Sequence, residues 1–224
     1  MFLGIDNLAL FMAAGVLLNL TPGPDVLFIV SHALKSGWKT GAVAALGITA
    51  GCFVHIAAAA LGLSALLAAS HTAFNLLKWL GAAYLVYVGV SMWRASRAGP
   101  KKSPDLIAGQ ASPVGYGGQL SLKAVFIKGF WTNALNPKVA LFFLAFLPQF
   151  IAPGAEHKTA AFLLLGLIFN VNSLWVGLGY AALAAAVSQR LSALQSGVVW
   201  LERIAGTLFI AFGLKLALTD NPPL

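Results

Sequence analysis

Charged side chains are scarce in this chain. They make up 9% of its 224 residues, while hydrophobic residues make up 59% and mean hydropathy is +0.86. A soluble domain carries about 25% charged residues, so the sequence reads as an all-α integral membrane protein. Acidic residues are scarcer still, with six Asp and Glu against 14 Lys and Arg, a formal charge of +8. The basic residues fall in stretches between apolar runs and form no single stripe, which argues against nucleic acid and for the anionic inner leaflet of a membrane. The one cysteine, Cys52, excludes an internal disulfide and a CxxC redox pair. Four scattered histidines give no metal-ligand spacing, and HExxH, GxSxG and paired intramembrane carboxylates are all missing. No enzyme, cofactor or metal chemistry is expected. No Lys or Arg precedes the first apolar run and no small-x-small cleavage pattern follows it, so a cleaved signal peptide is not expected either.

Long apolar runs fill most of the sequence. A crossing takes about 20 apolar residues, and six can be drawn at about 7–34, 41–69, 73–93, 124–150, 159–187 and 198–218. The whole of 1–224 is then a single transmembrane domain. It divides into a first repeat of about 1–93, a cytoplasmic linker of about 94–123 rich in Gly, Ser, Pro and Lys, and a second repeat of about 124–224. Helix 2 carries Gly37, Gly41, Gly47 and Gly51, whose spacing predicts close approach of a neighbouring backbone.

Orientation follows from Lys and Arg near the helix ends. Lys35, Lys39, Arg94, Arg97, Lys101, Lys102, Lys123, Lys128, Arg190 and Arg203 adjoin one side, and only Lys78, Lys158 and Lys215 the other. That bias puts the linker in the cytoplasm and both termini in the periplasm. Residues 78–89 align weakly with 202–213, each in the third helix of its half. An odd number of crossings per half inserts the halves with opposite polarity, so two inverted three-helix repeats are expected, in which helices 1 and 4 correspond.

Both of those helices are interrupted. Asn19-Leu20-Thr21-Pro22-Gly23-Pro24-Asp25 breaks the first and Asn133-Ala134-Leu135-Asn136-Pro137-Lys138 the second. Proline removes a backbone donor and clashes with the preceding turn, while Asn followed by Pro is a helix-start pattern. Each break therefore ends one half-helix and begins another near mid-membrane. The free N–H groups of such a start suit the carboxylate of an amino acid. Asn19, Thr21, Asn133 and Asn136 add neutral hydrogen bonds; Asp25 can hold an α-ammonium group or take up a proton, and Lys138 can hold a carboxylate or neutralise Asp25. The plainer reading has Pro and Gly only kinking the helices and Asp25 paired structurally with Lys138. Two matched breaks, each with an ionisable group and an Asn, favour a substrate site built from Asn19, Thr21, Pro22, Gly23, Pro24, Asp25, Asn133, Asn136, Pro137 and Lys138.

Asp25 is the expected proton-coupling residue, and His55, mid-helix, is the next candidate. His32, His71 and His157 sit near helix ends and read as interfacial. Asn170 and Asn172 point about 200° apart on a helix, so at most one faces the site. Trp79, Tyr84, Tyr87, Trp93, Trp175, Tyr180 and Trp200 read mainly as interfacial-belt or packing residues, with Tyr84 or Tyr87 the candidates for a cavity wall. A channel or a non-transporting scaffold remains the alternative; broken inverted halves fit alternating access better than a filter ring.

The motif Asn19-x-Thr21-Pro22-Gly23-Pro24-Asp25 resembles the LysE/RhtB family of bacterial amino-acid exporters. So do Gly129-Phe130-x-x-Asn133-x-x-Asn136-Pro137-Lys138 with Phe142-Phe143 and Pro148-Gln149-Phe150, and Gly81-Ala82-x-Tyr84-Leu85-x-Tyr87-x-Gly89. The resemblance covers essentially the whole chain. It implies efflux of an amino acid or derivative, such as threonine, homoserine or lysine, across the bacterial inner membrane in exchange for protons. A homodimer is compatible with the sequence but nothing in it specifies one.

Overall fold

The computed structural model describes residues 3–63, 121–152 and 154–187, with scattered helical positions between 76 and 97 and between 203 and 218. Most of the expected linker, together with His71, Tyr84 and Trp200, lies outside the described residues. What is described is helical, apart from turns, short irregular stretches and an isolated bridge between Ile5 and Ile151.

Helix α1, Leu8–Leu20, ends where Thr21 turns extended (φ −74, ψ 126), the conformation imposed on a residue that precedes proline. Helix α2, Pro24–Ala57, starts with Pro24 in its first turn and Asp25 beside the positive end of the helix dipole. It is not one straight rod. Gly37 sits at φ 82, ψ 178, a region essentially reserved for glycine, and there the chain doubles back. A Cβ placed on Gly41 would lie 2.6 Å from the Ala33 Cβ, a closeness that residues eight apart in an unbroken helix never reach. The sequence predicts a loop at about 35–40; one glycine makes the reversal, and no neighbour lies within 4 Å of where its Cβ would be. Gly37 is therefore a hinge of the backbone, where the sequence had placed a packing glycine.

The second arm of α2 continues as a π-helix, Ala58–Leu63. Helix α3, Leu122–Ala134, lies on that arm with the backbones almost touching. A Cβ on Gly47 would overlap the Phe126 carbonyl, and one on Gly51 the Phe130 carbonyl. After Leu135 and the cap residue Asn136 comes α4, Pro137–Leu141, extended by a π-helix Phe142–Phe146 and a 3-10 turn Leu147–Phe150. Helix α5, Lys158–Val187, packs against α1 and α2.

Two stretches, Pro24–Gly62 and Lys158–Ala186, are long and apolar enough to cross a membrane. The pair Leu122–Ala134 and Pro137–Phe150, bent by 44°, would make a third. The fold at Gly37 divides the first stretch into two unequal arms, 24–36 and 38–62.

The apolar interior falls into two clusters of different character. One is aromatic, built around Phe11, Phe142, Phe143, Phe146, Phe150, Phe162 and Phe169. The Phe142 ring stacks on Phe146 at 4.9 Å between centroids, and Phe143 meets Phe169 edge-on at 5.3 Å. The other is made of small and branched side chains: Ile29, Ala33, Ala44, Ala45, Ile48, Val125, Ala181 and Ala184. Beside the aromatic cluster, to which Ala82 belongs, a Cβ on Gly89 would meet the Gly206 carbonyl at 2.6 Å and Ile210, and one on Gly213 would meet the Ala82 carbonyl at 2.8 Å and Val86. The contacts are reciprocal under the alignment of 78–89 with 202–213, which pairs Ala82 with Gly206, Val86 with Ile210 and Gly89 with Gly213.

Candidate functional site

The two breaks meet. Backbone bonds satisfy part of each cut end, the Thr21 N–H donating to the Leu17 and Leu18 carbonyls and the Asn136 N–H to the Asn133 carbonyl; the carbonyls left over need another donor in apolar surroundings, and side chains add to both sets. At the end of α1 the Lys138 ammonium donates to the Leu18 carbonyl at 3.0 Å and to the Thr21 carbonyl at 3.1 Å. The Tyr180 hydroxyl donates to the Leu20 carbonyl at 2.6 Å. The Thr21 hydroxyl returns to the Leu17 carbonyl at 2.7 Å. At the end of α3, His55 Nε2 lies 2.8 Å from the Asn133 carbonyl; a carbonyl only accepts, so this nitrogen carries the proton. Asn136 caps α4, its side-chain oxygen accepting from the Lys138 backbone N–H at 3.0 Å.

Across the breaks, Asn133 Nδ2 donates to Asp25 Oδ2 at 2.7 Å. The anion of one break is thus held by the neutral amide of the other, and the cation of the second by carbonyls of the first. The two charges make no direct ion pair: the lysine ammonium donates to backbone oxygens instead. This corrects the structural Asp25–Lys138 pair of the plainer reading. Carbonyls at a helix C-terminus carry partial negative charge and compete successfully for an ammonium that can reach them. A Cβ on Gly23 would lie 3.6 Å from the lysine nitrogen, an ordinary contact, so the ammonium passes close to this turn without requiring a glycine there.

Between these groups lies a cavity of about 30 Å³. Of the residues expected at a site, Asn19, Thr21, Gly23, Asp25, Asn136 and Lys138 line it. Pro22, Pro24 and Pro137 form the breaks and stand outside the lining, Asn133 reaches it through Asp25, and His55 stands behind Asn133. Buried atoms without a partner cluster here: Asp25 Oδ1, Asn19 Nδ2 and Asn133 Oδ1. A volume of that size holds about two waters, against roughly 300–1,000 Å³ for a small-molecule pocket. At this volume the cavity has to widen to admit an amino acid.

Helix α5 supplies the wall that sequence reasoning did not find, namely Ser173, Val176, Gly177 and Tyr180. Their spacing is one helical stripe, and Ser-x-x-x-Gly-x-x-Tyr in a run this apolar was the available signal. Tyr180 belongs to the site and not to an interfacial belt, whereas Trp175, at 70% exposure, points out of the protein. Tyr87, 67% exposed, is not a cavity wall. Neither Asn170 nor Asn172 lines the cavity, and each keeps one buried atom unpaired. His32 is half-buried, its Nδ1 2.8 Å from the Phe28 carbonyl, and His157 is exposed.

A protein-family model described as LysE type translocator matches residues 16–220. The chain is 35% identical to the homoserine/homoserine lactone efflux protein of Salmonella typhimurium, over 92% of this chain and 94% of that one. The protein of the same name from Salmonella typhi is 33% identical over the same shares. An uncharacterized membrane protein of Pseudomonas aeruginosa is 34% identical over 96% of both chains. No solved structure matches.

Proposed function

Because the chain belongs to the LysE type translocators, we propose that it exports a small amino acid or amino-acid derivative across the bacterial inner membrane in exchange for protons. The family is one of transporters, not enzymes, and the apolar helices are those of a membrane protein. The observation that carries the finer reading is the convergence of both breaks on one cavity, where Asp25 Oδ1 and Asn19 Nδ2 are buried and unpaired. Leaving such groups unsatisfied is costly, and a zwitterion supplies what they lack, an ammonium for the carboxylate and an acceptor for the amide. Lys138 keeps one N–H beyond the two it spends on carbonyls, and that donor is available to a substrate carboxylate.

Among the three candidate substrates, homoserine and threonine suit the lining better than lysine does. Among the described residues Asp25 is the only carboxylate lining the cavity, so a second ammonium finds no anionic partner among them. The names of the Salmonella relatives support homoserine in particular. Six crossings in two inverted repeats, with the linker cytoplasmic and both termini periplasmic, complete the proposal. The reciprocal contacts of Gly89 and Gly213 support it, because two aligned helices that touch through equivalent residues are what a local two-fold axis produces.

The test is a panel of labelled amino acids in liposomes holding the purified protein, with and without an imposed pH gradient. Saturable counterflow of homoserine, driven uphill by the gradient, is the expected result. Gradient-independent flux in single-channel steps would replace the exporter by a channel.

A further inference from the structure

The polar cavity lies between two unlike seals. Towards the aromatic cluster the cavity is lined by Leu18 and Val139, behind which stand the interlocked phenylalanines of α1, the extension of α4, and α5. Towards the other cluster the packing is mostly alanine with a few branched side chains, and there Gly41 is close against Ala33 and Ala181. Three residues both line the cavity and pack with that second cluster: Ile29, Ile48 and Tyr180. Tyr180 is the largest of them and the only one with a polar side-chain atom. Its hydroxyl takes the Leu20 carbonyl, an orphan of the cut helix α1, at 2.6 Å. The cation that satisfies the neighbouring carbonyls, Lys138, comes from α4 instead. The end of α1 is therefore tied to α5 by one bond and to α4 by two, and the tie to α5 is the one beside the loosely sealed side.

Resting on the transporter reading above, we propose that Tyr180 is the latch of the cavity on its alanine-rich side. Its hydroxyl holds the end of α1 against α5 while the cavity is closed, and this bond has to break for substrate to pass on that side. Tyr180 is thereby a positioning residue of the transport cycle. In water the released hydroxyl and the released carbonyl are both resolvated, so opening that wets this side loses little. Opening that left the side dry would strand both groups and is correspondingly disfavoured. The latch makes release conditional on water entry from one face only.

The experiment uses the full chain in membrane vesicles, with a cysteine at the cavity wall (Ser173→Cys) in a Cys52→Ala background. An impermeant thiol reagent is added to one face or the other, using right-side-out and inside-out preparations. Tyr180→Phe keeps the ring and removes only the donor. It should speed labelling of that cysteine about five- to tenfold from one face, the cytoplasmic one under the proposed topology, and leave the other face unchanged. In transport it should alter maximal rate more than KM, because the hydroxyl is committed to Leu20 and not to substrate. Unchanged labelling, or labelling raised equally from both faces, would overturn the latch. The labelling needs no substrate, so a failure of the amino-acid assay and a failure of the latch are separate results. Tyr180→Leu gives the same comparison should the Phe variant fail to insert.

Discussion

Asp25 and Asn133, 108 residues apart in sequence, share a hydrogen bond of 2.7 Å that closes one broken helix onto the other. One carboxylate oxygen is occupied in this way and the second is buried without a partner. That asymmetry makes Asp25 the residue at which a proton or an ammonium has most to gain. Asp25→Asn keeps an acceptor for Asn133 but cannot titrate. It is expected to abolish uphill efflux driven by a pH gradient while leaving exchange at equal pH at least partly active, as measured by counterflow in liposomes. Uphill transport surviving in this variant would move coupling elsewhere, with His55 the next group to test.

Lys138→Gln replaces the charged donor shared by the Leu18 and Thr21 carbonyls with a shorter, neutral amide. Hydrogen bonds to a charged group contribute about 1.5–3 kcal/mol each, so this variant should lose thermal stability in detergent and also bind substrate more weakly. A change in KM with an unaltered melting temperature would show the ammonium to be a substrate ligand alone.

Three glycines separate backbone strain from packing. Gly37→Ala places a side chain in open space but at φ 82, and should cost about 1–3 kcal/mol through the backbone alone. Gly51→Ala has an overlap with the Phe130 carbonyl and should be the most damaging, because α3 has to be displaced from α2. Gly179→Ala meets no atom within 4 Å and needs no unusual φ, so it should be neutral or slightly stabilising. Thermal unfolding of the three variants in one detergent ranks them.

The orientation is tested by Ser103→Cys in a Cys52→Ala background. An impermeant reagent added outside intact cells should leave that cysteine unlabelled, and efficient labelling would reverse the assignment of sides that the basic residues suggest.

The sequence by itself determined where the helices are cut. Thr21-Pro22-Gly23-Pro24 and Asn136-Pro137 stop and restart a helix through steric and hydrogen-bond rules that act over a few residues, and both cuts are present in the structure. Membrane character and family membership were legible for a related reason: composition and motif survive without knowledge of the fold. What only the tertiary structure decided is which groups answer each other across a cut. Lys138 goes to carbonyls 117 and 120 residues away and not to Asp25; Tyr180 reaches Leu20 from 160 residues away; His55 takes the Asn133 carbonyl from 78. Gly37, one of four glycines at suggestive spacing, proved to be the reversal, while Gly47 and Gly51 made the close contacts. A broken helix in an apolar medium has to find donors for its free carbonyls, and the chain states that need locally. Which side chain meets it depends on how distant helices pack, and that is set by the sum of many contacts that no short stretch of sequence contains.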